Sequence, residues 1–193
     1  LEAAVHALEK VYNIGPSFRA EESRSKGHLI EYWHIKAELA FVDFQDMISV
    51  VERFIRDVSE RSIREGRELA HVIGTEMCGD GLKTPFPRID YAEAVGWLRA
   101  RGSDIEFGKS LGADEESNLS RHFGDTAFWV IGIPRSIEPF PYVIDTVDPR
   151  RTKTADLLAS RGFGELLGLA EKISALPMLD ERLAEKGKAG DAR

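Results

Sequence analysis

Near the start of the chain, Arg19 and Glu21 sit one residue apart in the segment Ile14-Gly15-Pro16-Ser17-Phe18-Arg19-Ala20-Glu21. A polar stretch follows, and then His28-Leu29-Ile30-Glu31-Tyr32-Trp33 supplies a histidine and two aromatic rings. On extended backbone, alternate residues share a face. A guanidinium can fork onto two phosphate oxygens and offset charge that builds up at phosphorus. A neighbouring carboxylate can accept from an amine, and an aromatic face can stack on a flat ring. Together these residues make a pocket able to grip a phosphate, read an amine and hold a ring. Taken singly they have plainer roles. Arg19 would be a surface arginine paired with Glu21 or Glu31, and Tyr32 and Trp33 would be strand packing.

Two strands must position these groups. Lys10 to Glu21 and Leu29 to Phe41 are rich in Val, Ile, Tyr, Trp and Phe with partial alternation, which predicts a long antiparallel hairpin. The polar residues 22–27 between them end in Gly27 and predict the loop. The hairpin should turn Arg19, Glu21 and Tyr32 to one side. Asp43 then offers an N-cap, and Met47, Val50, Val51, Phe54, Ile55 and Val58 recur at helical spacing, predicting an amphipathic helix toward Gly66 or beyond. Residues 74–83 read as a loop. Asp90, with Glu93 three residues on, should cap a short helix that Gly102 stops. Residues 104–121 mix Gly, Asp, Glu and Ser and read as an irregular crossing with one helical turn. Strands are expected at 126–133, 140–145 and 164–173, and a helix from Met178 to Lys186 before a polar tail. Strands in runs, broken by helices of unequal length, indicate an α+β fold built on an antiparallel sheet flanked by helices. Neither Gly-x-Gly-x-x-Gly nor Gly-x-x-x-x-Gly-Lys-Ser/Thr occurs, so side chains on a sheet would have to hold any nucleotide.

Composition narrows the class. The 193 residues suit one domain, and 42% hydrophobic with 31% charged residues is ordinary for a globular chain. No apolar run reaches the roughly 18 residues of a membrane helix, and Leu1-Glu2-Ala3-Ala4-Val5 has no secretory pattern. The absence of an initiator Met suggests a fragment. The single cysteine, Cys78, excludes an internal disulfide, suits a reducing compartment such as the cytoplasm, and reads as incidental in its loop. A net charge of −7 disfavours broad nonspecific RNA binding but permits a local tRNA contact or an ATP site.

The Arg19–Tyr32 segment resembles motif 2 of the class II aminoacyl-tRNA synthetases, most closely the asparaginyl branch of the aspartyl/asparaginyl group. The resemblance implies that Arg19 grips the α-phosphate of ATP and is the catalytic cation. Glu21 would lie beside the adenine amine, His28 near the terminal phosphates and Tyr32 on the adenine ring, where the family usually has Phe. Gly27 stands where the family has Arg, and Lys26 restores a point charge but not a fork.

Further matches run to the end of the chain. Residues 85–94, Pro-Phe-Pro-Arg-Ile-Asp-Tyr-Ala-Glu-Ala, are similar to the family's lead-in to a structural helix. Residues 108–119 are similar to its Gly-Asp-Asp-Leu-Gly-x-x-x-Glu-x-x-Leu stretch, with Lys109 and Ser110 for the two Asp. Residues 129–140 resemble its strand and Pro-x-x-x-Lys-x-Phe turn, with Glu138 and Pro139 replacing the cationic region. Asp156-Leu157-Leu158 and Gly164-Glu165-Leu166-Leu167-Gly168 match its Asp-Leu-Leu and Gly-Glu-Ile-x-Gly pieces. Asp156 and Glu165 would then hold Mg²⁺ against ATP, a role that suits carboxylates completed by phosphate oxygens and water. Without the resemblance, Asp156 reads as a helix cap and Glu165 as a strand-edge charge. The family continues Gly-Gly-Ser-Gln-Arg, where this chain has Gly168-Leu169-Ala170-Glu171-Lys172. Lys172 falls on the arginine that reads the amino-acid side chain, and Leu169 should fill space in that pocket.

The implied activity is ATP-dependent activation of an amino acid, asparagine or aspartate, and transfer to tRNA by a cytoplasmic, homodimeric full-length enzyme. Residues 1–193 would be part of its catalytic domain. Motif 1 and an anticodon-binding barrel would precede Leu1, and motif 3 would follow Arg193. Two alternatives stay open: a paralogue of asparagine synthetase type that gives the acyl group to another acceptor, and a pseudo-synthetase module without catalysis.

Overall fold

The computed structural model describes residues 1–20, 29–77 and 82–188. Glu21, His28, the 22–27 loop with Lys26 and Gly27, and Cys78 lie outside the described residues. The chain divides into two units, Leu1–Asp43 and Phe44–Arg193.

The first unit is a short helix and a hairpin. Helix α1 (Glu2–Leu8), not expected from sequence, leads into β1 (Lys10–Phe18), antiparallel to β2 (Glu31–Leu39). The register pairs Ile14 with Ile35, Ser17 with Tyr32 and Phe18 with Glu31. Both strands are shorter than expected. The ladder still reaches one residue further, because the Arg19 N–H donates to the Ile30 carbonyl at 2.9 Å.

In the second unit a four-stranded sheet, in the order β3-β4-β5-β6, is covered by helices on both faces. Its strands are β3 (Arg88–Asp90), β4 (Phe128–Ile131), β5 (Thr154–Leu158) and β6 (Glu165–Ala170). The short β3, which no sequence pattern announced, runs parallel to β4, and the other pairings are antiparallel. Period-2 alternation sorts the two cores. Phe128, Val130 and Leu158 pack under α3 (Tyr91–Arg99) and α4 (Ala113–Phe123), with Tyr91, Ala94, Leu98 and Leu119. Trp129, Ala155 and Leu157 pack on the other side with Ile48 of α2 (Phe44–Val72). The strongly apolar β4 is buried on both faces, so it reads as a continuous hydrophobic run rather than an alternating one.

Two polar side chains show how this unit is tied together. Glu52, 7% exposed on the inner face of α2, accepts from the Trp129 indole N–H at 3.0 Å and the Phe86 N–H at 3.2 Å. Asp90 caps α3 as expected, accepting from the Ala92 N–H at 2.9 Å.

Three expectations need correction. Residues 104–121 are not an irregular crossing with one turn, because α4 is an 11-residue helix. Its first turn carries Asp114, Glu115 and Glu116, which complement the helix dipole, and the Gly112 N–H donates to Glu115 at 3.1 Å. Residues 140–145 form only isolated bridges, Tyr142 to Lys172 and Ile144 to Thr152. Pro139 and Pro141 offer no N–H to a ladder there. Asp156 is neither on a helix cap nor outside the sheet, but inside β5. The final helix, α5 (Leu176–Glu185), forms nearly where expected.

Candidate functional site

On the hairpin, the register sorts side chains by face. Tyr12, Ile14, Phe18, Trp33 and Ile35 share one side. Ser17, Arg19, Tyr32 and His34 share the other. The Arg19 guanidinium carbon lies 5.4 Å from the Tyr32 ring centre. Tyr32 and His34 rings are 5.4 Å apart, and Ser17 Oγ and His34 Nδ1 are 3.2 Å apart. Partial burial, with the nearby Lys36 and Arg19 cations, lowers the His34 pKa, so His34 belongs to this face as a neutral imidazole. Arg19 and Tyr32 therefore meet as the strand pattern required. His34 was missed in the sequence, and its even spacing from Tyr32 was the signal.

In the second unit a cavity of about 240 Å³ opens above the sheet, lined by Glu116, Glu138, Asp156 and Glu165 over apolar Val130 and Leu158. Each acid comes from a different element. Glu116 sits on α4, Asp156 on β5, Glu165 at the start of β6, and Glu138 on the 134–140 turn. A β-bulge in the β5–β6 ladder pairs Glu165 with Leu158 and Leu167 with Leu157. Gly168, opposite Asp156, lets the acids converge: a Cβ there would stand 3.1 Å from Asp156 Oδ1 and 3.3 Å from Glu165 Oε1. Tyr91, also on the cavity wall, donates its hydroxyl to the Lys109 carbonyl at 2.5 Å and fixes the 108–110 loop.

No cation lines this cavity among the described residues. Burial, and then the carboxylates of Glu165, Glu138 and Glu116, push the Asp156 pKa up to about 8. Burial also raises Glu116, next to Glu165 and Glu115. Burial raises Glu138 as well, against the pull of the Thr154 hydroxyl and the Lys186 and Arg182 cations. Such a site favours a cation. Among the described residues no group of three or more His, Cys, Asp or Glu side chains is arranged to hold a metal ion. Asp156 and Glu165 fit Mg²⁺ of the kind that takes one or two carboxylates and completes its shell with phosphate oxygens and water.

The turn that carries Glu138 is held from behind by α5. Arg182, 1% exposed, reaches the Arg135 and Pro139 carbonyls at 3.5 and 3.4 Å and pairs with Glu185 at 2.5 Å. Lys186 donates to the Arg135 and Ser136 carbonyls at 3.1 and 2.7 Å.

Leu169 is not in the cavity. It packs with Leu167 against the core that contains Trp129, Ala155 and Leu157. One residue of strand offset from Gly168 turns it to the opposite face of the sheet. Lys172 is exposed, bridges to Tyr142 in the backbone ladder and does not line the cavity. Glu116 and Glu138 were not singled out in the sequence as site residues. The Glu of the Gly-x-x-x-Glu stretch and the charge reversal in the Pro-x-x-x-Lys-x-Phe turn were their signals.

Residues 1–193 match the family model described as tRNA synthetases class II (D, K and N). The chain belongs to this family. An asparagine--tRNA ligase from Pyrococcus abyssi is 40% identical over 97% of the chain and 43% of its own length. An asparaginyl-tRNA synthetase from Pyrococcus horikoshii, solved with asparaginyl-adenylate, is 38% identical with a TM-score of 0.83, over 96% of this chain and 43% of that one. The Entamoeba histolytica asparaginyl-tRNA synthetase, also with asparaginyl-adenylate, is 25% identical with a TM-score of 0.88, over 99% and 44%. The chain thus spans less than half the length of these class II relatives. The α+β fold expected from the resemblance is that of these solved enzymes. No helix among the described residues is long and apolar enough to cross a membrane.

Proposed function

We propose that the full-length protein activates an amino acid with ATP and transfers it to tRNA, as an asparaginyl-type ligase. The observation that carries this is the pairing of Arg19 and Tyr32 on one hairpin face, in a chain whose other unit gathers Asp156 and Glu165 at one cavity. Both units would belong to one catalytic domain, of which residues 1–193 are a part.

In this scheme the amino-acid carboxylate attacks the α-phosphorus of ATP in line, the bond to pyrophosphate breaks, and an aminoacyl-adenylate forms. No protein nucleophile is needed, since positioning and charge neutralisation carry the step. Arg19 grips the α-phosphate, Tyr32 stacks on adenine, and Glu21 and His28 take the amine and the terminal phosphates. Asp156 and Glu165 would hold Mg²⁺, which supplies charge neutralisation to the phosphate oxygens when bound. Lys172 would contribute to amino-acid binding as a point charge. The tRNA 3′ end then accepts the acyl group. A homodimer in the cytoplasm is the proposed setting.

A second reading keeps adenylate formation and changes the acceptor. Glu138 in place of the family's lysine favours it, because the cavity is altered where the amino acid would lie. ATP–pyrophosphate exchange by the full-length protein, followed by acylation of tRNA, separates the two. Exchange with tRNA acylation supports the ligase, exchange without it supports the second reading, and no exchange with any amino acid defeats both.

A further inference from the structure

We infer that Glu138 is a specificity-determining residue that selects a side-chain carboxamide over a side-chain carboxylate, asparagine over aspartate. The inference rests on the activation reading above and names the substrate of that site.

Charge sets the first constraint. Four carboxylates, Glu116, Glu138, Asp156 and Glu165, line one cavity of about 240 Å³. A divalent cation on Asp156 and Glu165 offsets two of them. The ammonium that every amino acid brings offsets a third. One carboxylate then remains facing the substrate side chain. Aspartate would add a fifth negative charge to a half-buried site, where like charges strongly disfavour each other. Asparagine adds none, and its amide offers two N–H donors to a carboxylate that only accepts.

Glu138 is the acid placed for this contact. It sits on the turn where the family pattern has Lys, so a position that attracts a carboxylate elsewhere repels one here. It is half-buried on the cavity wall, and the Thr154 hydroxyl beside it projects from the same face of β5 as Asp156. The cations nearest its back are already engaged. Arg182 is paired with Glu185 and bonded to two carbonyls, and Lys186 is bonded to the Arg135 and Ser136 carbonyls. They fix the turn and leave the carboxylate of Glu138 to the cavity. A site that rejects by repulsion as well as selecting by hydrogen bonding discriminates more sharply than one that only attracts.

The test is ATP–pyrophosphate exchange by the full-length protein with asparagine, aspartate and 2,4-diaminobutyrate, in the wild type, Glu138→Lys and Glu138→Gln. The wild type should prefer asparagine to aspartate by about a hundredfold or more in kcat/KM. Glu138→Lys should cut that ratio by at least about tenfold, mainly through faster use of aspartate. Glu138→Gln, which removes charge at constant shape, should move the ratio in the same direction by less. It also serves if the lysine variant does not fold, as judged by circular dichroism. Because the readout is a ratio, a general loss of packing would not move it. Equal use of both substrates by the wild type, an unchanged ratio in the variants that fold, or better use of diaminobutyrate than of asparagine would each overturn the inference while leaving amino-acid activation intact. No exchange with any amino acid would instead remove the activation reading, and this inference with it.

Discussion

The two units present their candidate groups by different means. The hairpin holds Arg19 and Tyr32 within 13 residues of each other, on strands paired by a short connection. Their meeting follows from register and period-2 alternation, with no help from the rest of the chain. The cavity of the second unit draws Glu116, Glu138, Asp156 and Glu165 from a helix, a turn and two strands. Those four meet only because α4, the 134–140 turn and the β5–β6 pair are packed around one sheet. Charge follows the same division. The hairpin face carries cations and a neutral imidazole, whereas the cavity is lined by acids and by no cation. A local motif thus supplies positive charge suited to a phosphate, and tertiary packing supplies negative charge suited to a metal.

The largest effect should come from the cavity. Asp156 titrates at about 8 in the native state against 3.8 when free. Below about pH 4 native and unfolded chains both hold the proton, and between there and about pH 8 only the unfolded chain releases it. Native stability should therefore fall as pH rises through that window and level off above it. Asp156→Asn removes the effect. At pH 8 the variant should be more stable than the wild type by several kcal/mol, since each pH unit separating the native and free values is worth about 1.4 kcal/mol. Mg²⁺ should stabilise the wild type at pH 8 and leave the variant unmoved. Urea unfolding at pH 5 and pH 8, with and without Mg²⁺, measures both. A variant no more stable than the wild type at pH 8 would remove the contrast in charge between the two regions.

On the hairpin, Arg19→Ala in the full-length protein should leave the fold intact and slow pyrophosphate exchange by about a hundredfold or more, roughly 3 kcal/mol. Unchanged exchange would leave the hairpin as mere scaffold.

Leu169→Gly tests which face of β6 matters. Since Leu169 packs beneath α2, its loss should cost about 2 kcal/mol of stability and open no space in the acidic cavity. Calorimetric unfolding, read beside the KM for the amino acid, separates the two outcomes. A lower KM at unchanged stability would return Leu169 to the pocket.

The smallest effect is at Tyr32. Tyr32→Phe keeps the ring and should change the KM for ATP little, while Tyr32→Ala should raise it by about tenfold, near 1 kcal/mol of stacking. Equal effects from both would point to the hydroxyl instead.

Much of the frame was legible in the sequence. Alternation placed the hairpin and turned Arg19 and Tyr32 to one side, helical spacing placed α2, and Asp90 with Gly102 bounded α3. These features depend on interactions between near neighbours in the chain, which a pattern of residue types records directly. β5 was not legible, because a five-residue strand with an aspartate at its centre carries too little pattern of its own. It becomes a strand by pairing on both sides, with β4 and β6. α4 was hidden by a composition of weak helix formers, and it is secured by its acidic first turn and by burying Leu119. The face of Leu169 was misjudged for a related reason. One residue of strand register decides between cavity and core, and only the pairing of Gly168 with Asp156 sets it. Residue types and spacing determined which chemistry this chain can offer. The convergence of four distant acids was decided by tertiary packing, because no local interaction brings like charges together against their own repulsion.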